Sequence, residues 1–216
     1  MPDYGKMTLY PIFKGFSEED IKAFVESACV RTESFSKGDI LLHEGDECRE
    51  MGLILEGNCI GETFTESGRR DIAALLGEGE VFGDVLAMSR GGKSPVTLTA
   101  ENNVLVMFIP FEKLMSASIN PNNLLLHNLT QIISEKYFSL LFRVNCLSKP
   151  TLREKILYYL HEMKQKSGSS TFSVDFNRSQ MADFLAADRS ALSRELSNLK
   201  KEGIIDFYKN TFSIKI

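Results

Sequence analysis

With 216 residues, 43% hydrophobic and 25% charged, and a formal net charge of −4, the chain has the balance of a soluble globular protein with room for one large or two modest domains. No apolar run approaches the ~18–20 residues of a membrane span, and the opening MPDYGKMTLY lacks the basic and apolar regions of a secretory signal. A cytoplasmic protein without a membrane partner is expected, and Cys29, Cys48, Cys59 and Cys146, with neither CxxC nor metal-type spacing, read as free thiols.

Charge is uneven along the chain. Residues 148–216 hold 12 Lys and Arg against 8 Asp and Glu, whereas residues 1–147 hold 13 against 21. An acidic front and a basic tail suit a sensor joined to a nucleic-acid reader.

Taken in order, residues 17–27 read as a capped amphipathic helix that begins at Ser17 and turns Ile21, Phe24 and Val25 inward. From Val30 to about Pro110 short strand-like segments alternate with glycine turns: 30–35, 40–43, 51–55, 60–65, 71–76, 96–100 and 104–109. Such spacing indicates a small antiparallel sandwich or barrel-like roll over residues 1–121. Residues 122–147 return to helix, with Leu126, Leu129, Ile133, Tyr137, Leu140, Val144 and Leu147 at coiled-coil spacing. A second stripe, Leu125, Ile132, Leu141 and Phe142, calls for another surface, taken as the roll. The two stripes predict a dimerisation helix, the alternative being a long core helix in a monomer.

Ser148-Lys149-Pro150 breaks this helix and opens a third part, residues 148–216. Residues 151–166 form an amphipathic helix with Ile156, Leu157, Leu160 and Met163 inward; a strand at 172–176 follows. Two short helices then occupy 177–203, NRSQMADFLAADRSALSRELSNLKKEG. Asn177 and Gln180 have capping-box spacing, Met181, Phe184 and Leu185 share one face, and Asp188 can cap the second helix. Leu192, Leu196 and Leu199 make its apolar stripe, and Gly203 stops it. Ala182 and Ala186 are small enough for close helix approach.

The face opposite the leucines carries Arg189, Ser190, Ser193, Arg194 and Ser197. Arginine can bond guanine O6 and N7 together, and serine reaches base edges or phosphates without filling the groove. The pattern predicts a helix-turn-helix that reads double-stranded DNA, against the plainer reading of a two-helix corner with a solvated face. Strands at 204–207 and 212–216 around Lys209-Asn210 complete a winged helix-turn-helix, so the fold class is α+β. Arg189 and Arg194 are the base-reading candidates, with Ser190 and Ser193 on bases or phosphates. Arg178, Ser179, Gln180, Asn198 and Lys200 are candidates for anchoring the DNA backbone.

From roll to wing, nearly the full length resembles the bacterial cyclic-AMP receptor protein/FNR (Crp/Fnr) family of transcription regulators. The motifs are DRSALSREL in the reading helix, GDILLHEGDE and GLILEGNCIG in the roll, and FGDVLAMSRGGKSP, which resembles the family's phosphate-binding cassette. The resemblance implies a cyclic-nucleotide-binding-like roll, or double-stranded β-helix, that holds a small effector beside Gly83, Asp84, Val85, Leu86, Lys93, Ser94, Tyr137, Leu140 and Leu141. It further implies a homodimer on an inverted-repeat operator, with RNA polymerase as a further candidate partner. A cupin-type enzyme would share the roll, but metal-ligand His pairs are absent, so no enzymatic activity is expected.

Departures from the family pattern bear on the effector. Asp84 stands where cyclic-nucleotide binders have Glu, and Lys93-Ser94-Pro95 stands near the expected Arg-Ser/Thr-Ala. Lysine is a point charge and replaces a bidentate phosphate-binding arginine poorly. Leu140-Leu141 occupies the place of the Thr-Ser pair of cyclic-AMP responders. These changes point away from cyclic AMP. With no cysteine before Cys29, and His43, His127 and His161 far apart, iron–sulfur, haem and zinc are not expected. The effector's identity stays open, as does a module that acts through protein contacts rather than DNA.

Overall fold

A computed structural model describes residues 2–64, 70–89, 92–114 and 123–215. The chain divides into two compact units, residues 1–135 and 136–216.

In the first unit, α1 (Tyr4–Met7), a 3-10 turn (Pro11–Phe13) and α2 (Glu18–Ser27) precede the strands. Helix α2 begins as its sequence asks: Ser17 and Asp20 form a reciprocal capping box, and Ile21 and Phe24 are buried. The strands are β1 (Arg31–Phe35), β2 (Ile40–Leu42), β3 (Glu50–Glu56), β4 (Cys59–Phe64), β5 (Arg70–Leu76), β6 (Val81–Phe82), β7 (Thr97–Ala100) and β8 (Val104–Pro110), with α3 (Asp84–Met88) after β6 and α4 (Phe111–Leu114) after β8. Among the described residues they form two four-stranded sheets, ordered β1-β8-β3-β6 and β2-β7-β4-β5, with every pairing antiparallel.

Strand β8 is almost continuously apolar because both its faces are covered. Val104, Val106 and Phe108 join Ile54, Cys59, Phe82, Leu98 and Ala100 in the core between the sheets. Met107 and Ile109 face the other way, to Met7, Ile12, Phe13, Ile21 and Phe24 from the N-terminal helical segment and Leu125 and Leu129 from the long helix. That helix is α5 (Leu124–Leu147). Asn128, 4% exposed, sits among its apolar residues. Its amide donates to Ile12 O at 3.0 Å and Lys14 O at 2.8 Å, binding the N-terminal segment to the helix.

The second unit contains the last turns of α5, then α6 (Leu152–Ser167), β9 (Thr171–Ser173), α7 (Arg178–Phe184), α8 (Arg189–Lys201), β10 (Ile205–Tyr208) and β11 (Thr211–Ile214). The small sheet runs β10-β11-β9. Thr151 and Glu154 make a capping box that starts α6. Its inward face is Ile156, Tyr159 and Leu160, with Leu157 and Met163 half-buried at its margin.

The expected division of α5 into two stripes needs correction. Leu129, assigned to the dimer stripe, is buried in the first unit's own core, and Ile133 packs against that core. Leu141, assigned inward, is 39% exposed, while Phe142 packs on the second unit. What α5 leaves open is Tyr137, Phe138, Leu140, Leu141 and Val144. The predicted stripe took a uniform repeat along a helix whose two ends serve different cores. Residue 122, the expected start of this helix, residues 65–69 with Gly68, and Ile216 lie outside the described residues. No helix among the described residues is long and apolar enough to cross a membrane.

Replacing Asn128 by Ala leaves the buried carbonyl of Ile12 without this donor and removes the part-buried bond to Lys14 O. Chemical denaturation of Asn128→Ala should show a loss of about 1–3 kcal/mol, the usual cost of an unsatisfied buried group.

Candidate nucleic-acid interface and effector cassette

Local sequence sets the geometry of α7 and α8. Asn177 accepts hydrogen bonds from the Ser179 and Gln180 amides at 2.9 and 3.0 Å, and Gln180 Oε1 accepts from Asn177 N. Helix α7 ends where Ala187 N reaches back to Ala182 O at 2.9 Å. Ala186, in the turn, has φ of +48°. It is exposed, so it supplies the left-handed turn and not close helix approach, which falls to buried Ala182 alone. Asp188 then caps α8 by accepting from the Ser190 and Ala191 amides. Its bond from the Ser190 hydroxyl, and then these amides, hold its carboxyl below the usual range.

Leu192, Leu196 and Leu199 are fully buried against Met181, Ala182, Leu185, Ile156 and Leu160. By helix periodicity, their burial turns Arg189, Ser190, Ser193, Arg194 and Ser197 outward, and all five are exposed. Ser193 and Ser197 donate to the carbonyls four residues back, Arg189 O and Ser193 O, at 2.9 Å each. Each hydroxyl oxygen thereby keeps acceptor capacity toward solvent. Helix α8 ends at Gly203, whose φ is +75°, with Ile204 N bonded to Leu199 O.

The backbone-anchoring candidates separate into two groups. Ser179 is exposed at the start of α7. Gln180 is also exposed, but its carbonyl oxygen is used in the cap. Asn198 donates to Glu195 at 3.3 Å. Arg178 is half-buried; its guanidinium donates to Lys209 O at 2.8 Å and lies 5.1 and 5.0 Å from the Phe207 and Phe212 rings. Lys200 donates to Phe207 O at 3.0 Å and pairs with Asp206 at 2.7 Å. These last two face the wing. Spacing along α7 and α8 carried no sign of this, because the wing partners are contributed by later strands. A cleft of about 840 Å³ lies between the helices and the wing, lined by Ser179 and Arg189 on one side and Lys209 and Asn210 on the other.

In the roll, Gly83 has φ of +70° and precedes α3; a Cβ there would meet Cys48 Sγ at 2.7 Å and Glu50 O at 2.9 Å. Only glycine meets both demands. Cys48, expected only as a free thiol, thus packs on the cassette and donates its thiol to Glu50 O at 3.0 Å. Asp84 is buried, Val85 is exposed and Leu86 half-buried. The cassette's far end is stitched to residues 45–48 by Gly45 N to Ser94 O, Ser94 N to Asp46 O and Cys48 N to Gly92 O. Gly83–Leu86, Lys93 and Ser94 therefore share one corner of the roll. Lys93 is exposed, and the buried Ser94 turns its hydroxyl onto Val96 O at 2.7 Å. Tyr137, Leu140 and Leu141 belong to the second unit, where they are exposed. Arg90 and Gly91 of the cassette motif lie outside the described residues. Among the described residues no group of three or more His, Cys, Asp and Glu could hold a metal ion.

A winged helix-turn-helix with an open polar reading face, carried with an antiparallel roll, defines a regulator of the helix-turn-helix class. Residues 32–118 match the family model described as cyclic nucleotide-binding domain, and residues 154–216 match the Crp-like helix-turn-helix domain. The chain is 22% identical to the cyclic AMP receptor protein of Thermus thermophilus, over 95% of this chain and 92% of that one. It is 26% identical to the transcriptional activator protein FnrL of Cereibacter sphaeroides, over 80% of this chain and 71% of that one. The fold is similar to that of CprK complexed with OCPA, with a TM-score of 0.67 at 17% identity over 92% of both chains. The chain belongs to the Crp/Fnr family of transcription regulators.

Ala186 pays for its left-handed backbone, which costs an alanine roughly 1–2 kcal/mol. Ala186→Gly should raise the thermal midpoint and stabilise the second unit by about 0.5–1 kcal/mol after glycine's own entropy loss; calorimetry checks it.

Proposed function

We propose that the chain is a homodimeric, sequence-specific DNA-binding regulator that reads an inverted repeat. The observation that carries this is the α8 face on which Arg189, Ser190, Ser193 and Arg194 are all exposed opposite three buried leucines. Arg189 and Arg194 read base edges, and Ser190 and Ser193 contact bases or adjacent phosphates. Ser179, at the opening of α7, suits a phosphate. The basic C-terminal third suits a polyanionic partner such as DNA.

Two such faces need two chains. Tyr137, Phe138, Leu140, Leu141 and Val144 form an exposed apolar face on α5, with Leu140 at 62% and Val144 at 52%, and a second copy is the occupant that also doubles the reading helices. The half-sites would then lie about one helical turn, ~34 Å, apart.

The roll is the regulatory part, with an effector at the Gly83–Leu86 corner. Cyclic AMP fits the residues there poorly. Ser94 has its hydroxyl committed to Val96 O, Lys93 is an exposed point charge, and Asp84 is the shorter carboxylate. The effector is therefore read as another small molecule, and the working compartment as the cytoplasm.

Selection of duplexes from a random pool should yield an inverted repeat. On that operator Arg194→Ala should cost ~1–3 kcal/mol and relax discrimination at a single base pair; an equal loss on every duplex would reduce Arg194 to a phosphate contact. Val144→Glu should shift sedimentation equilibrium toward monomer and weaken operator binding at a fixed protein concentration. A variant as dimeric as the parent would remove α5 from the pairing surface.

A further inference from the structure

Arg178 and Lys200 carry the charge expected of phosphate anchors, yet both are engaged by the wing. Strand β10 is the edge of its sheet, and an edge leaves backbone groups unpaired. Here side chains take them up. Phe207 N donates to Asp206 Oδ1 at 2.8 Å, Phe207 O accepts from Lys200 at 3.0 Å, and Lys209 O accepts from Arg178 at 2.8 Å. Phe207 and Phe212 are cross-strand partners with ring centroids 5.5 Å apart, and the guanidinium of Arg178 lies about equally near both. Burial also lowers the pKa of Arg178, in keeping with a guanidinium drawn away from solvent. The first residue of α7 and the last turn of α8 thus each hold one carbonyl of the same hairpin. Beyond these contacts stands the wing tip, where Tyr208 is 76% exposed and the Lys209 ammonium lies 5.6 Å from its ring centroid.

We propose that Arg178 and Lys200 are positioning residues: they fix the wing against the helix-turn-helix so that Lys209 reaches the DNA backbone beside the half-site, and neither touches DNA. This rests on the DNA-binding reading above. Arginine suits the α7 position because one planar group can bond a carbonyl while its faces meet aromatic rings. A preset wing spends less conformational freedom on binding than a loose one.

The test compares Arg178→Ala, Arg178→Lys, Lys209→Asn and the Arg178→Ala/Lys209→Asn double variant in the full chain. Asparagine tolerates the left-handed backbone of residue 209, whose φ is +52°. Operator affinity is measured across salt concentrations, and amide hydrogen exchange of residues 208–211 is followed without DNA. Lys209→Asn should lower the salt slope by about one. Arg178→Ala should reproduce that drop, and the double variant should add nothing to it. Wing amides should exchange faster in Arg178→Ala and in Arg178→Lys, but not in Lys209→Asn.

A further unit of slope lost in the double variant, full recovery by Arg178→Lys, or unchanged wing exchange in Arg178→Ala would each overturn the proposal. So would an unchanged slope in Lys209→Asn. If Arg178→Ala melts the unit, Lys200→Ala takes its place under the same criteria. Failure of the unaltered chain to prefer any duplex would bring down the DNA reading and this proposal together; failure confined to the variants would bring down this proposal alone.

Discussion

The reader depends on the burial of three leucines. Helix α8 has 13 residues, and a helix of that length is marginal in water by itself. Removing Leu192, Leu196 and Leu199 from solvent contributes about 1.5–3 kcal/mol each, which holds the helix and selects its rotation about its axis. The outward direction of Arg189 and Arg194 follows from that rotation. The Asn177 and Asp188 caps set where the helices begin. Position along the axis and rotation about it are thus set by different residues, and the reading face is their joint result.

The roll follows a related logic with period two. Strands β3 and β8 are buried on both faces, one against the second sheet and one against the N-terminal helical segment and α5. Polar bonds tie these layers together as well: the Asn128 amide donates to the carbonyls of Ile12 and Lys14, and the Tyr10 hydroxyl donates to Leu55 O. The cassette corner is held by backbone hydrogen bonds and by the close approach of Gly83 to Cys48, so its shape depends less on its exposed side chains than on the chain beneath them. Burial pushes the thiols of Cys59 and Cys146 up to about 11, consistent with packing residues that stay protonated at neutral pH.

Much of this architecture was legible in the residues. Caps at Ser17, Asn177 and Asp188, the leucine stripe of α8, the stop at Gly203 and seven strand segments all stand within a residue or two of their expected places, since each is encoded over a few neighbouring positions. Strand β6, two residues long, left too short a pattern to find. The geometry of the candidate site was legible where it lies on one helix face and illegible where partners come from distant strands. Arg178 and Lys200 look like solvent-facing cations until β10 is beside them. Along α5 the heptad spacing was real, but it ran unchanged through a change of neighbours at residue 135, which spacing alone does not reveal.

Phe142 lies near the end of α5, in the second unit. Its ring stacks on Tyr159 at 5.8 Å and sits 5.5 Å from Phe184, while Cys146, one turn further on, is fully buried in the same core. The helix break at Ser148–Pro150 therefore does not coincide with the thermodynamic boundary. A fragment cut at Pro150 to isolate the reader would lack this aromatic lid and bare Tyr159 and Phe184 to water. The smallest autonomous reader has to keep the final turns of the preceding helix.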